Sequence, residues 1–168
     1  MQNTNNQRLY HGIERPFYTP DAITSLNPDE VFVFGSNLQG HHGGGAARAA
    51  HMRFGAIWGQ GVGLQGQSYA IPTMQGGVKT IKPYVDHFIT FAKEHTELFF
   101  YVTRIGCGIA GFKDKEIAPL FADALTEDNI CLPESFIEEL QYEKTRQPFF
   151  KRILGNKKET SNRKQQPS

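Results

Sequence analysis

Two periods of apolar residues alternate along this chain. Residues 30–34, Glu-Val-Phe-Val-Phe, are β-branched and aromatic with no polar alternation, the pattern of a strand buried on both faces. Residues 69–72, 98–103 and 129–132 are further short runs that read as strands. Between them the spacing lengthens. Ile81, Val85, Phe88, Ile89 and Ala92 share one face at helical spacing, which predicts a helix over residues 80–95 with Pro83 in its first turn. Residues 46–53 are alanine-rich and favour helix. Asp114 is placed to cap a helix carrying Ile117, Leu120, Phe121 and Leu125, and residues 133–142 predict a terminal helix. A short helical stretch is predicted over residues 19–26, with Thr19 as N-cap and Pro20 at the first helical position. This order of strands and helices predicts one α/β domain, a mostly parallel sheet covered on both faces to give three layers.

Two of the predicted strands run straight into glycine-rich loops. The first loop reads Gly35-Ser36-Asn37-Leu38-Gln39-Gly40-His41-His42-Gly43-Gly44-Gly45-Ala46-Ala47. The second reads Arg104-Ile105-Gly106-Cys107-Gly108-Ile109-Ala110-Gly111-Phe112. In an open α/β sheet, ligands bind at the carboxyl ends of the strands, where such loops gather. Glycines let backbone N–H groups converge on an anion. The helix predicted at residue 46 opens out of the triple glycine, so its N-terminus points at the same spot. A nucleotide-diphosphate-like ligand is the chemistry this pattern suggests. Residues 55–67 repeat glycine at short intervals and read as a connector ordered only by packing or ligand.

Individual side chains leave alternatives open. Asn37 is placed to meet ribose hydroxyls or to brace its own loop. His41 and His42 could meet phosphate or act as a base near neutral pH, but two adjacent histidines make a poor metal site, and no metal is expected. Arg104 could pair with phosphate or with a carboxylate, and Phe112 could lie against a sugar or pack in the core. Cys107 invites comparison with a Cys-x5-Arg phosphatase loop, yet Lys113 stands where the arginine belongs. A small buried thiol is the simpler reading. The stretch Gly59-x-Gly61-x-Gly63 lacks the preceding strand of a dinucleotide fingerprint, and no Gly-Lys-Ser/Thr phosphate loop occurs.

Composition narrows the classes. The chain has 168 residues, 39% of them hydrophobic and 21% charged, ordinary for a globular domain. No apolar run approaches the ~20 residues of a membrane helix. The first residues lack the basic-then-apolar order of a signal peptide, and two cysteines make no disulfide framework, so a cytoplasmic setting with reduced thiols is expected. Residues 143–168 carry eight Lys/Arg against two Glu, leaving ten Lys/Arg against fifteen Asp/Glu in residues 1–142. The expected organisation is a polar lead-in over residues 1–16, a domain over 17–142, and a basic, disordered tail over 143–168.

The run from Val31 to Ala50, the segment Ser68-Tyr69-Ala70-Ile71-Pro72-Thr73, and Thr103 to Phe112 together resemble a macrodomain. The Arg-Ile-Gly-Cys-Gly segment is most similar to the branch that includes the terminal ADP-ribose–protein glycohydrolase. Residues 17–136 also resemble an uncharacterised family of bacterial and phage proteins. The resemblance implies a three-layer α/β fold that binds ADP-ribose. It implies that Asn37 and Gly43, Gly44, Gly45 and Ala46 face the distal ribose, and that Gly106, Cys107, Gly108, Ile109, Ala110, Gly111 and Phe112 wrap the diphosphate. Ser36 and Arg104 are also expected among the ligand-binding residues. The glycohydrolase branch works through a lysine and an aspartate, whose places here hold Met74 and Ala110. The early Gly-Asp motif that reads adenine in many macrodomains is also absent.

Three functions follow as expectations. The first is binding of ADP-ribose or a related nucleotide, free or on an ADP-ribosylated macromolecule, with weak or no hydrolysis and no cofactor. The second is an ADP-ribosyl or phosphate-ester hydrolase that uses Asn37, His41 or His42 in place of the missing pair. The third is a nucleic-acid-associated protein that binds through its basic tail.

Overall fold

The computed structural model describes residues 7–159, with side chains to Arg146. In chain order the strands are β1 (Gln7–Tyr10), β2 (Ile13–Pro16), β3 (Glu30–Ser36), β4 (Gly63–Gln65), β5 (Ser68–Pro72), β6 (Phe99–Val102) and β7 (Ile130–Cys131). The helices are α1 (Gly45–Arg53), α2 (Val78–Glu94), α3 (Asp114–Ile117) and α4 (Glu134–Glu159), with a 3-10 helix, Ala118–Thr126, following α3. Five strands make one sheet in the order β4-β5-β3-β6-β7. β3 is its centre, parallel to β5 with Phe34 opposite Ala70, and parallel to β6 with Phe32 opposite Tyr101. β7 is parallel to β6, and only β4, at the edge, is antiparallel. The mixed α/β class and mostly parallel sheet match the sequence pattern.

Alternation along β3 divides the core. Val31 and Val33 pack with Val85, Phe88, Phe100, Phe121 and Phe136 beneath α2, the 3-10 helix and α4. Phe32 and Phe34 face the other way, against Ala47, Ala50 and Phe54 of the α1 region. A fully buried Phe contributes roughly 1.5–3 kcal/mol, so the larger α2-side cluster supplies most of the burial energy. The α1 side is thinner, and alanines let that helix lie close to the sheet.

Four expected elements differ. Residues 7–16 are a β-hairpin rather than a loose lead-in. Its turn, His11-Gly12, has φ of 50° and 73°, the two positive values that a tight hairpin turn requires. Residues 19–26 form no helix. The Thr19 hydroxyl donates to the Cys131 carbonyl at 3.0 Å and its N–H to the Leu132 carbonyl at 3.0 Å, which ties this segment to β7 instead of capping a helix. The helix expected from Asp114 is a single α-turn with Lys113 at the N-cap position, where its N–H donates to Glu116 Oε2 at 2.8 Å, and it continues as 3-10 around Pro119. The basic segment expected to be disordered continues α4 as far as Glu159, and its remainder lies outside the described residues, as does the start of the lead-in. No helix among the described residues is long and apolar enough to cross a membrane.

The hairpin is held by a buried cation. Arg15 donates to Asp29 Oδ2 at 2.8 Å and to Glu30 Oε2 at 3.3 Å, with its guanidinium 4.9 Å from the Phe99 ring centre. The Tyr101 hydroxyl donates to the same Glu30 carboxylate, and burial together with that bond pushes its phenol up from the usual range. Replacing Arg15 with Met leaves Glu30 buried without its cation, at an expected cost of about 3–5 kcal/mol in urea denaturation. A loss below about 1 kcal/mol, the worth of a surface pair, contradicts this account.

Candidate functional site

The chain leaves β3 toward the α1 face of the sheet and leaves β6 toward the opposite face. The two loops part at the carboxyl edge and enclose a crevice of about 350 Å³. This is the switch point where parallel α/β sheets bind ligands, and the volume lies within the range of about 300–1,000 Å³ for small-molecule sites. Gly35, Thr73, Thr103 and Ile105 line it along the strand ends, and a Cβ on Gly35 would stand 3.2 Å from Thr73 Oγ1 and 3.4 Å from the Gly106 nitrogen.

The first wall is built by hydrogen bonds within and behind the loop. Asn37 Nδ2 donates to the His41 carbonyl at 3.0 Å, and Asn37 Oδ1 accepts from the His41 N–H at 2.9 Å. Its amide therefore braces the loop, the structural alternative of the two. The Ser36 hydroxyl donates to the Gly61 carbonyl at 2.6 Å, which ties the loop to the glycine-rich connector behind it. Helix α1 then begins at Gly45 with no capping side chain and no acidic residue in its first turn. The N–H groups of Gly45, Ala46 and Ala47 have no partner among the described residues. Such orphan donors carry the positive end of the helix dipole.

The second wall is a chain of tight turns. Cys107 N–H donates to Arg104 O at 3.1 Å, Gly111 N–H to Gly108 O at 3.0 Å, and Phe112 N–H to Gly106 O at 2.8 Å. The N–H groups of Gly106, Gly108, Ile109 and Ala110 are left without a partner among the described residues. The exposed Ile109 side chain reaches back across the opening, its Cδ1 3.1 Å from where a Cβ on Gly44 would stand.

Most expected site residues come together here. Ser36, Asn37, His41, Gly44, Gly45, Ala46, Arg104, Gly106, Cys107, Gly108, Ile109 and Ala110 line the crevice, and Gly43, His42, Gly111 and Phe112 do not. His42 is fully buried against Phe34, with Nε2 2.9 Å from the Ile57 carbonyl, so as a base it is out of reach of a crevice ligand. Phe112 packs on the larger core cluster rather than standing free for a sugar. Arg104 makes a side-on pair with Asp114, Nε to Oδ1 at 3.0 Å and an Nη to Oδ2 at 2.8 Å, which resolves its two readings toward the carboxylate. That pair holds the Asp114 carboxyl below its ordinary range. Gly35, Ala47, Thr73, Thr103 and Ile105 also line the crevice, although none of them was assigned a site role from the sequence. The usable signal was parallel pairing, which sets the residues after Pro72 and Val102 beside Ser36.

The lining holds no Lys, Asp or Glu. Met74 and Ala110 are both part of it. Among the described residues no group of three or more His, Cys, Asp or Glu could hold a metal ion. A second groove, about 600 Å³, adjoins the crevice through Arg104 and is lined by Phe17, Tyr18, Asp21 and Glu138 among others. Comparison of the chain with protein-family models, curated proteins and solved structures returned no match.

Burial, with the Asp114 carboxylate nearby, pushes the Cys107 thiol up to about 11. A raised value keeps it a neutral thiol at pH 7, and the nucleophilic thiolate emerges only as pH approaches that value. Alkylation of Cys107 by iodoacetamide, read by peptide mapping, should at pH 7.5 be about tenfold or more slower than for a free cysteine and still be rising past pH 10. A rate that levels off near pH 8 contradicts it.

Proposed function

We propose that the crevice binds ADP-ribose or a related nucleotide diphosphate, with weak or no hydrolysis, and that the chain is a macrodomain-like protein. One observation carries the reading: the uncapped start of α1 and the free N–H groups of Gly106, Gly108, Ile109 and Ala110 border one crevice. Backbone donors of this kind hold a polyanion without a lysine or arginine. The sole guanidinium in the lining is already engaged by Asp114. The groove beyond Arg104 offers aromatic faces and the Asp21 carboxylate to the nucleoside end of such a ligand.

Weak turnover follows from what lines the site. With Met74 and Ala110 where the glycohydrolase branch has its lysine and aspartate, neither an amine adduct with the opened ribose nor base catalysis by that carboxylate is available. Asn37 is committed to its loop and Cys107 is a neutral thiol at pH 7. His41 favours a second reading, as a base in a hydrolase, because it lines the crevice and remains exposed.

Calorimetric titration with ADP-ribose, AMP and NAD tests both. The expected result is micromolar binding selective for ADP-ribose. Gly44 has φ of −152°, open to any residue, so Gly44→Val should fold normally while crowding Ile109 and weakening binding about tenfold or more. Binding of none of the three contradicts the proposal. Release of ADP-ribose from a modified substrate, lost on His41→Ala, moves the assignment to the hydrolase.

A further inference from the structure

Among the described residues Arg104 alone lines both the crevice and the second groove, so it stands in the wall between them. Its cation is committed to the groove side, where it forks onto both Asp114 oxygens. Asp114 is fixed in turn, its Oδ1 accepting from the Ser135 hydroxyl at 3.1 Å in the first turn of α4. The Asp114 bond, with the field of Asp21 behind it, strengthens the guanidinium's hold on its proton.

The rest of the groove carries one sign of charge. Asp21, Glu134 and Glu138 line it beside Asp114, and none of the three has an ion-pair partner among the described residues. No lysine and no second arginine among the described residues joins that lining. Glu134 and Glu138 stand exposed one turn apart on α4. Asp21 follows Thr19, whose bonds to Cys131 and Leu132 hold that segment in place. The crevice lining, by contrast, holds no carboxylate among the described residues. The wall at Arg104 therefore divides a cavity that is positive through backbone dipoles from one that is negative through side chains.

We propose that Asp114 is a positioning residue that sets specificity: by holding Arg104 it bars ligands whose nucleoside ribose carries a phosphate, so the site selects a nucleoside end with free ribose hydroxyls. The assignment rests on the nucleoside end of the ligand lying in the groove. A ribose phosphate would bring about −1.5 to −2 of charge into it near pH 7. The usual partner for such a group is a free guanidinium fork, and the fork at this wall is occupied. The carboxylates of Asp21, Glu134 and Glu138 oppose the phosphate instead, which is discrimination by repulsion. Room is not what excludes it, since the groove measures about 600 Å³. The diphosphate escapes this repulsion because it lies on the crevice side of the wall.

The test is calorimetric titration of the full chain with ADP-ribose and with 2′-phospho-ADP-ribose, each at low and at raised salt. The wild type should bind the phosphorylated ligand about tenfold or more weakly than the plain one. Raised salt should narrow that gap, because repulsion between exposed charges is screened, whereas a steric bar is indifferent to salt. Asp114→Asn keeps the size of the side chain and an acceptor oxygen for Ser135, and it releases Arg104. In this variant the gap should fall to about threefold or less. The double variant Glu134→Gln, Glu138→Gln changes only exposed positions of α4 and should narrow the gap part of the way, a second route to the answer if Asp114→Asn lowers the melting temperature. Equal binding of the two ligands by the wild type overturns the proposal, and so does a gap that neither salt nor either variant changes. In both cases ADP-ribose still binds and the crevice reading stands. Binding of neither ligand by the wild type overturns that reading and this inference with it.

Discussion

The crevice depends on an interlock between two stretches of bare backbone. A Cβ on Gly61 would lie 2.2 Å from the Asn37 carbonyl oxygen, and one on Gly40 would lie 2.3 Å from the Gln60 nitrogen. Neither gap admits a side chain, so the connector and the first loop are pressed together where only glycine fits. Gly40 also has φ of 70°, a conformation open to glycine at no steric cost. The bonds from Ser36 to Gly61 and from Gly59 to Gly40 then fasten the pair. The loop is thereby shaped before any ligand arrives, and ordering it at the moment of binding costs little.

The side chains nearest the crevice are already engaged. Asn37 and Ser36 spend their side chains holding the loop, and Arg104 spends its charge on Asp114. What remains toward the crevice is backbone N–H from the start of α1 and from the turns after Gly106. The site is thus positive through dipoles rather than through ionised side chains. Such a field holds phosphate oxygens well and offers little for moving protons, which is why the account favours binding over turnover.

Much of this was legible in the sequence where the physics is local. The solid apolar run of β3, the period of α2, and glycine loops after β3 and β6 each follow from short-range patterns. From these the layered α/β class and most of the crevice lining follow. The failures share a cause in contacts between distant segments. Thr19 has the look of an N-cap, but its hydroxyl goes to Cys131. His11-Gly12 is an unusual hairpin turn, and its strands are polar because Arg8 and Arg15 anchor them to β7 and to the start of β3. The pairing of Arg104 with Asp114 rather than with phosphate, and the burial of His42, depend on which elements pack together. Periodicity and spacing carry no trace of either.

The central claim is that backbone amides at the start of α1 and in the turns after Gly106 hold a diphosphate. The measurement that reaches it most directly is an amide-resolved NMR titration of the labelled protein with ADP-ribose. The account predicts that the largest shifts fall on Gly45, Ala46 and Ala47 together with Gly106, Gly108, Ile109 and Ala110, with the sheet beneath unmoved. Shifts confined to other faces, or none at saturating ligand, would contradict it.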